Sequence, residues 1–210
     1  MVNAQQIAAA DVPDWAPILR GLYTRFRTGD FNKGIRLVDA FAEAADVADH
    51  HPEVVLTYGH VDVRLTSHDA GDVTERDLAL ARTFSEIAAT QNVPAAPGER
   101  CLVELGLDTA DATRIAPFWS AVLGQPVSDG EVTDPTGIGP TIWFQPTEPH
   151  EPPRQRFHLD VWVDPRVVRE RIDAALAAGG TLVSDAEAPR FWILADTQGN
   201  KACLCTAEDR

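Results

Sequence analysis

No stretch of the 210-residue chain carries the about 18–20 consecutive apolar residues that crossing a bilayer requires. The opening run "MVNAQQIAAADVPDW" has neither a basic flank nor an apolar centre, so no secretory leader is expected and the cytoplasm is the expected location. Basic residues are scarce: 18 Lys and Arg stand against 32 Asp and Glu, a formal charge of −14. A field of that sign opposes phosphate backbones and anionic lipid, and the cations form no run. Neither nucleic acid nor a membrane is an expected partner. Cysteine is rarer still. Cys101, Cys203 and Cys205 make an odd count with none before residue 101, which does not suit a disulfide framework.

What is present suits a folded chain. Hydrophobic residues make up 44% and charged residues 24%, the balance of a globular protein. The length suits two domains of about 100 residues each. The proline- and glycine-bearing stretch "QNVPAAPGER" follows a helical pattern and reads as a boundary. It sets an N-terminal domain at 1–92, a linker at 93–99 and a second domain at 100–210.

In the first domain a short helix is expected over Gln5–Ala10, followed by strands near Trp15–Leu19 and Leu22–Arg27. Asp30 is placed to cap a long helix whose apolar stripe would be Phe31, Ile35, Val38, Ala42 and Ala45. Val54–Tyr58 and His60–Ser67 read as strands. Thr74 and Asp77 form a capping-box pattern that opens a helix buried through Leu78, Ala81, Phe84 and Ile87. The fold class is α+β, with helices over one face of a small antiparallel sheet.

The second half repeats itself in element order. "VELGLDTADATRIAPFWSAVLGQPVSD" and "FHLDVWVDPRVVRERIDAALAAGGTLVSD" each read strand, helix, Gly turn, strand. In the second copy Asp164 would be the N-cap, Pro165 the first helical residue and Gly179–Gly180 the stop. The turns "DPTGIGP" and "DTQGN" then lead to the closing strands "TIWFQP" and "KACLCT". Two βαβββ units are expected.

Three of the six histidines, His50, His51 and His68, lie within nineteen residues of one another. Core packing, metal binding, proton transfer and chance all compete to explain them. Pro52 pushes His51 out of the helical region. Asp46, four residues before His50, is expected to accept that ring's proton. Along the strand, Val61, Val63 and Leu65 face one way, whereas Asp62, Arg64, Thr66 and His68 face the other, so His68 is a poor packing residue. Adjacent histidines at a helix end would point their rings roughly 100° apart, and no cysteine lies in this half. A zinc site is therefore the weaker reading. Proton transfer suits imidazoles that titrate near neutrality.

The segment "HHPEVVLTYGHVDVRLTSHDAGDVTERD" resembles the signature of the pterin-4a-carbinolamine dehydratases: His-His-Pro, a Tyr and a Val at fixed spacing, then Thr/Ser-His and Thr/Ser-x-x-Asp. The likeness covers roughly residues 3–90 and includes "FRTGDF" ahead of the long helix. It implies that His50, His51 and His68 line a pterin pocket. In that arrangement His50 and His68 are acid/base catalysts and His51 orients the substrate. It also implies that Asp46 is an acidic partner and that Ser67 contacts the pterin ring. No metal or organic cofactor is implied, since the pterin is the substrate, and a homo-oligomer is expected. Two positions depart from the pattern. Val54 stands where many relatives have an aromatic residue, and Asp72–Val73 where many have Gly-Leu.

"APFWSAVLG", "FHLDVWV" and "DTQGNKACLCT" resemble the glyoxalase-like branch of the vicinal-oxygen-chelate superfamily, over about residues 100–207. That resemblance implies a cupped sheet that often holds a divalent metal. Aligning the repeats sets Glu104 beside His158 and Gln145 beside Cys205 as candidate donors, with at most one of Cys203 and Cys205 expected to face the cup. The alternative is that all of these are structural, with Trp119, Trp143, Trp162 and Trp192 in the core. Two further function classes stay open. One is a non-catalytic pterin- or protein-binding module, the other a metal-dependent lyase or dioxygenase centred on the second domain.

Overall fold

The computed structural model describes residues 2–123, 125–134, 139–148, 157–177, 179–195 and 201–209. The chain divides into two compact units. One comprises Met1–Cys101 with Val163–Val167 and Thr206–Arg210, the other Leu102–Trp162 with Val168–Cys205. No helix among the described residues is long and apolar enough to cross a membrane.

The first unit opens with α1 (Ala4–Ala9), whose N-terminus is closed by a capping box between Asn3 and Gln6. Strands β1 (Ala16–Ile18) and β2 (Gly21–Arg27) follow, then α2 (Phe31–Ala48), β3 (Glu53–Leu56), β4 (His60–Leu65) and α3 (Glu75–Thr90). The strands make one antiparallel sheet in the order β1-β2-β4-β3. Asp30 caps α2 as expected, its carboxylate accepting from the Lys33 amide at 2.8 Å.

The buried stripe of α2 departs from expectation. Gly34, Leu37, Phe41 and Ala45 are buried, while Phe31 and Ile35 are 45% and 39% exposed and Ala42 is exposed. Two apolar stripes overlap on this helix, and the one carrying Phe41 and a glycine faces the sheet. Gly34 sits where a Cβ would come within 2.5 Å of Leu56 Cδ1, so the helix approaches β3 closely.

Alternation along β4 sends Val61, Val63 and Leu65 into the core. They join Leu22 and Phe26 of β2, Leu37 and Phe41 of α2, and Leu78, Ala81 and Phe84 of α3 in one cluster. At its centre Phe41 stacks on Phe84 with ring centroids 4.1 Å apart, and Phe26 lies 5.3 Å from Phe41. On the other sheet face Asp62 accepts from Arg25 at 2.7 and 2.9 Å and from Arg100 at 2.7 Å.

The segment expected as a linker is held by hydrogen bonds. β1 covers only the first half of β2, and the vacant edge is taken by residues 94–96. Arg27 N donates to Pro94 O at 2.9 Å and Ala96 N to Arg25 O at 2.7 Å, with Val93 in the core. A strand edge left half-paired is a demand for backbone partners, and this segment meets it with one acceptor, the Pro94 carbonyl, and one donor, the Ala96 N–H.

The second unit has the expected doubled order. It runs β5 (Cys101–Thr109), α4 (Ala112–Leu123), β6 (Val127–Ser128), β7 (Glu131–Val132) and β8 (Ile142–Pro146). The second copy is β9 (Phe157–Val163), α5 (Val168–Ala177), β10 (Thr181–Ser184), β11 (Phe191–Ala195) and β12 (Lys201–Cys205). Its eight-stranded sheet runs β10-β11-β12-β9-β5-β8-β7-β6, with the opening and closing strands of each copy parallel. Leu105, Leu107, Ile142, Phe144 and Phe157 pack with Ile115 of α4 on one face, which leaves Glu104, Gly106, Asp108, His158 and Asp160 on the other.

Asp164 does not cap α5 directly and Pro165 is not its first residue. The helix starts at Val168, after a turn in which the Asp164 carboxylate accepts from Arg166 N at 2.9 Å. The helix stop is where expected: Gly179 takes φ +95° and Gly180 N donates to Ala175 O at 3.0 Å. The turn "DTQGN", most of "DPTGIGP" and the side chain of Trp119 lie outside the described residues. Trp162 and Trp192 are buried and Trp143 is half-buried.

The aromatic stack predicts a large loss on truncation. Phe41→Ala should destabilise the first unit by about 3–5 kcal/mol, because neighbours on two elements cannot collapse into the space together. Hydrogen exchange of the β2 and β4 amides in rising denaturant would read this. A loss below about 1 kcal/mol would contradict the packing described.

Candidate active site

The end of α2 determines how its histidines point. Asp49 adopts the left-handed conformation, φ +46° and ψ +42°, which reverses the chain after Ala48. His50 N then donates back to Ala45 O at 3.1 Å. The His50 ring turns inward, 7% exposed, and meets Asp77 across the fold, Nε2 to Oδ1 at 2.7 Å. His51 stays outside at 60% exposure, and its Nε2 lies 2.9 Å from Asp46 Oδ1. The expected pairing of Asp46 with His50 is therefore corrected. Four-residue spacing makes neighbours only while the helix continues, and it stops two residues before His50.

Asp77 is fully buried and lies in the first turn of α3. Its Oδ2 accepts from Thr74 N at 2.8 Å and from Ser67 Oγ at 2.7 Å, and Ser67 Oγ also lies 2.7 Å from Thr74 Oγ1. A carboxylate only accepts, so the His50 ring donates through Nε2 and keeps its lone pair on Nδ1. Ser67, with no exposure, spends its hydroxyl on this network. Its hydroxyl, expected at the pterin ring, is here engaged with Asp77 and Thr74. His68, the next residue, is exposed in the turn that follows β4. Asp77 consequently joins the end of α2 to the end of β4, and through them His50 to the residue preceding His68.

The two departures from the family pattern fit locally. Val54 packs partly buried against the core. Asp72 Oδ1 accepts from Val73 N at 2.7 Å, and Asp72 O from Ser67 N at 3.1 Å, closing the turn that carries His68.

A groove of about 580 Å³ runs between α2 and α3. Val47, Leu80 and Ile87 supply apolar wall, while Glu43, His50 and Arg76 supply polar groups. Of the five expected site residues only His50 lines it. Arg76, tethered to Asp69 by an ion pair, was not foreseen as a site residue. Asp77 was foreseen only as half of a capping box. The signal for both was present in Thr-Glu-Arg-Asp, where the cap fixes which residues of the first turn face inward.

In the second unit the four candidate donors do not assemble. Glu104 Oε2 accepts from Trp162 Nε1 at 2.7 Å, and Gln145 Nε2 reaches Pro146 O at 3.5 Å. Among the described residues the one group with metal-compatible spacing is His158, Asp160 and Cys203, whose ligand atoms all lie within 4.8 Å of one another. Cys205 is outside that group. Cys203 and Cys205 lie on the same sheet face, since side chains two apart share a side, which corrects the expectation that only one would.

Residues 2–87 match the family described as pterin 4 alpha carbinolamine dehydratase, and residues 104–205 match one described as a glyoxalase-like domain. A Picosynechococcus sp. protein provisionally named pterin-4-alpha-carbinolamine dehydratase is 37% identical over 82 residues, 39% of this chain and 89% of that protein. Relatives with the same provisional name are 38% identical in Nocardia farcinica, over 42% of this chain and 95% of theirs, and 41% in Bordetella avium, over 40% and 79%. The chain belongs to the pterin-4-alpha-carbinolamine dehydratase family. Its N-terminal region is the domain of that family, and a glyoxalase-like domain is fused after it. A crystal structure described as a transcriptional coactivator/pterin dehydratase from Brucella melitensis is 28% identical, covering 41% of this chain and 97% of that one, with TM-score 0.40.

The buried network of this dehydratase-family domain predicts a fixed tautomer. A long-range ¹H–¹⁵N spectrum of neutral His50 should show the proton on Nε2, and Asp77→Ala should remove that preference. The same variant strips the cap and leaves buried donors unpaired, a loss of about 2–3 kcal/mol. A proton on Nδ1 in the native protein would contradict the arrangement.

Proposed function

We propose that the first domain, residues 1–92, dehydrates 4a-hydroxytetrahydrobiopterin, the pterin-4a-carbinolamine, to the quinonoid dihydropterin, with 93–99 joining it to the glyoxalase-like domain at 100–210. The reaction breaks the C4a–O bond as the hydroxyl is protonated and leaves as water. A ring nitrogen loses its proton as the C=N bond forms. No electrons are exchanged, so two positioned proton carriers suffice.

His50 and His68 are the acid/base pair in this reading, and His51, held by Asp46, orients the substrate. Ser67 and Asp77 act behind His50, fixing its tautomer and leaving Nδ1 as the site of proton exchange. Arg76, at the mouth of the α2–α3 groove with His50, offers fixed donors for a pterin carbonyl. The observation that carries the reading is the buried His50–Asp77–Ser67 chain. A purely structural histidine would not need a carboxylate that is itself held by two other groups, the Thr74 amide and the Ser67 hydroxyl. Family membership supports the same assignment.

The test is the rate of carbinolamine dehydration by the purified full chain beside His50→Ala, His68→Ala and the double variant. Each single loss should lower the rate by about 10²-fold or more, within the usual range for a positioned proton carrier. The double variant should approach background. A folded wild-type chain with no rate above background would sink the enzymatic reading and leave a binding module.

A further inference from the structure

The segment Val163–Val167 belongs to the first unit, although most of β9 before it and all of α5 after it build the second. We infer that Arg166, carried by this segment, is a positioning residue of the dehydratase-family domain. It fixes Trp15, and through Trp15 the helix α3 that presents Asp77 to His50. The effect on rate rests on the dehydration reading above, whereas the effect on α3 rests on geometry alone.

The turn between β9 and α5 aims the side chain. Asp164 is 1% exposed, and its own carbonyl accepts from Val167 N at 3.0 Å. Its carboxylate accepts from Arg166 N at 2.9 Å, from Nε at 3.0 and 2.9 Å and from Nη2 at 2.7 Å. A buried carboxylate requires a paired cation, and one arginine answers it with backbone and side chain together. The guanidinium is held in a single direction, with donors left over. Nη1 donates to Pro13 O at 2.7 Å and Nη2 to Trp15 O at 3.3 Å. Both carbonyls lie just ahead of β1, the edge strand, where backbone groups lack a ladder partner. A lysine ammonium has no planar fork to span a carboxylate and two carbonyls at once.

Trp15 carries the restraint inward. The residue is 2% exposed, and its indole Nε1 is shared between Ala81 O at 3.0 Å and Ser85 Oγ at 3.1 Å, both on α3. The ring meets Phe26 edge-on at 6.0 Å and lies 6.4 Å from Phe84. Ala81 follows Asp77 by one helical turn, so the indole grips α3 directly behind the residue that sets the His50 tautomer. A second late segment, Thr206–Arg210, also belongs to the first unit, and Thr206 in it is wholly buried. The dehydratase-family domain is thus completed by residues encoded after it. A protein consisting of the first domain alone has no counterpart of Arg166.

The test uses the full-length chain with Arg166→Ala, Arg166→Lys and, as a control for lost charge, Arg169→Ala, which removes an exposed arginine at the start of α5. Exchange of the Trp15 indole proton, followed by NMR under native conditions, should quicken by about ten-fold or more in Arg166→Ala, because charge-assisted hydrogen bonds are lost. Arg169→Ala should leave it unchanged. In the dehydration assay kcat of Arg166→Ala should fall about ten-fold with KM held within about two-fold, since a proton carrier is displaced and no substrate contact is removed. The ¹⁵N spectrum of neutral His50 should lose its single tautomer in the same variant. Arg166→Lys should fall between the native chain and Arg166→Ala in each reading, and it carries the test if Arg166→Ala does not fold. Unchanged indole exchange in Arg166→Ala, or effects matched by Arg169→Ala, would overturn the inference. So would an unchanged kcat in the variant of an active chain. A wild-type chain without dehydration would sink the enzymatic reading alone, because indole exchange still decides the role of Arg166.

Discussion

A carboxylate with no solvent exposure must find its hydrogen-bond donors inside the protein, and Asp77 draws them from three separate parts of the first unit. The His50 ring follows α2, the Ser67 hydroxyl follows β4, and the Thr74 amide opens α3. Removing any one leaves a charged acceptor short in a dry place, so the three segments are bound to one geometry more tightly than their sequence separation suggests. The α3 N-terminus adds its own positive end to the same carboxylate. The oxygens that close the helix thus also decide which His50 nitrogen carries a proton. Stability and proton chemistry share a residue, and the helix cannot shift without disturbing the ring.

Much of this arrangement was legible in the residues. The capping box of Thr74 and Asp77, the Asp30 cap, the alternation through Val61, Val63 and Leu65 and the doubled βαβββ order all depend on local pattern, and local pattern is what a sequence records well. The misreadings share a cause. Asp46 and His50 look like helical neighbours until Asp49 turns left-handed and ends the helix. Phe31 and Ile35 look like the buried stripe until Gly34 allows β3 to approach the adjacent face. In each case a single backbone conformation or a missing side chain overrode a periodicity. Such events are set by partners far along the chain, which spacing does not reveal.

The second unit makes the same point through register. Aligning the two repeats pairs Glu104 with His158, yet the two positions do different work. Glu104 accepts the Trp162 indole proton, while His158 lies against Gly106. The β9–β12 ladder sets Asp160, two residues on from His158, beside Cys203. Pseudo-symmetry predicts elements because each repeat must bury the same kind of surface. It does not predict side chains, because each position answers to its own neighbours, and Trp162 and Cys205 on the face away from α4 are as buried as the core.

The net charge of −14 separates the ligands that suit this chain from those that do not. A long-range negative field repels phosphorylated or carboxylate-rich ligands and does nothing to an uncharged heterocycle such as a reduced pterin carbinolamine. Arg76 is then informative as the cation in the α2–α3 groove, on a surface otherwise poor in them. It offsets the field locally where a polar face of a neutral ring would be read. The proposed pterin is thus compatible with an acidic protein, and a phosphate-bearing ligand is disfavoured by the protein's own charge.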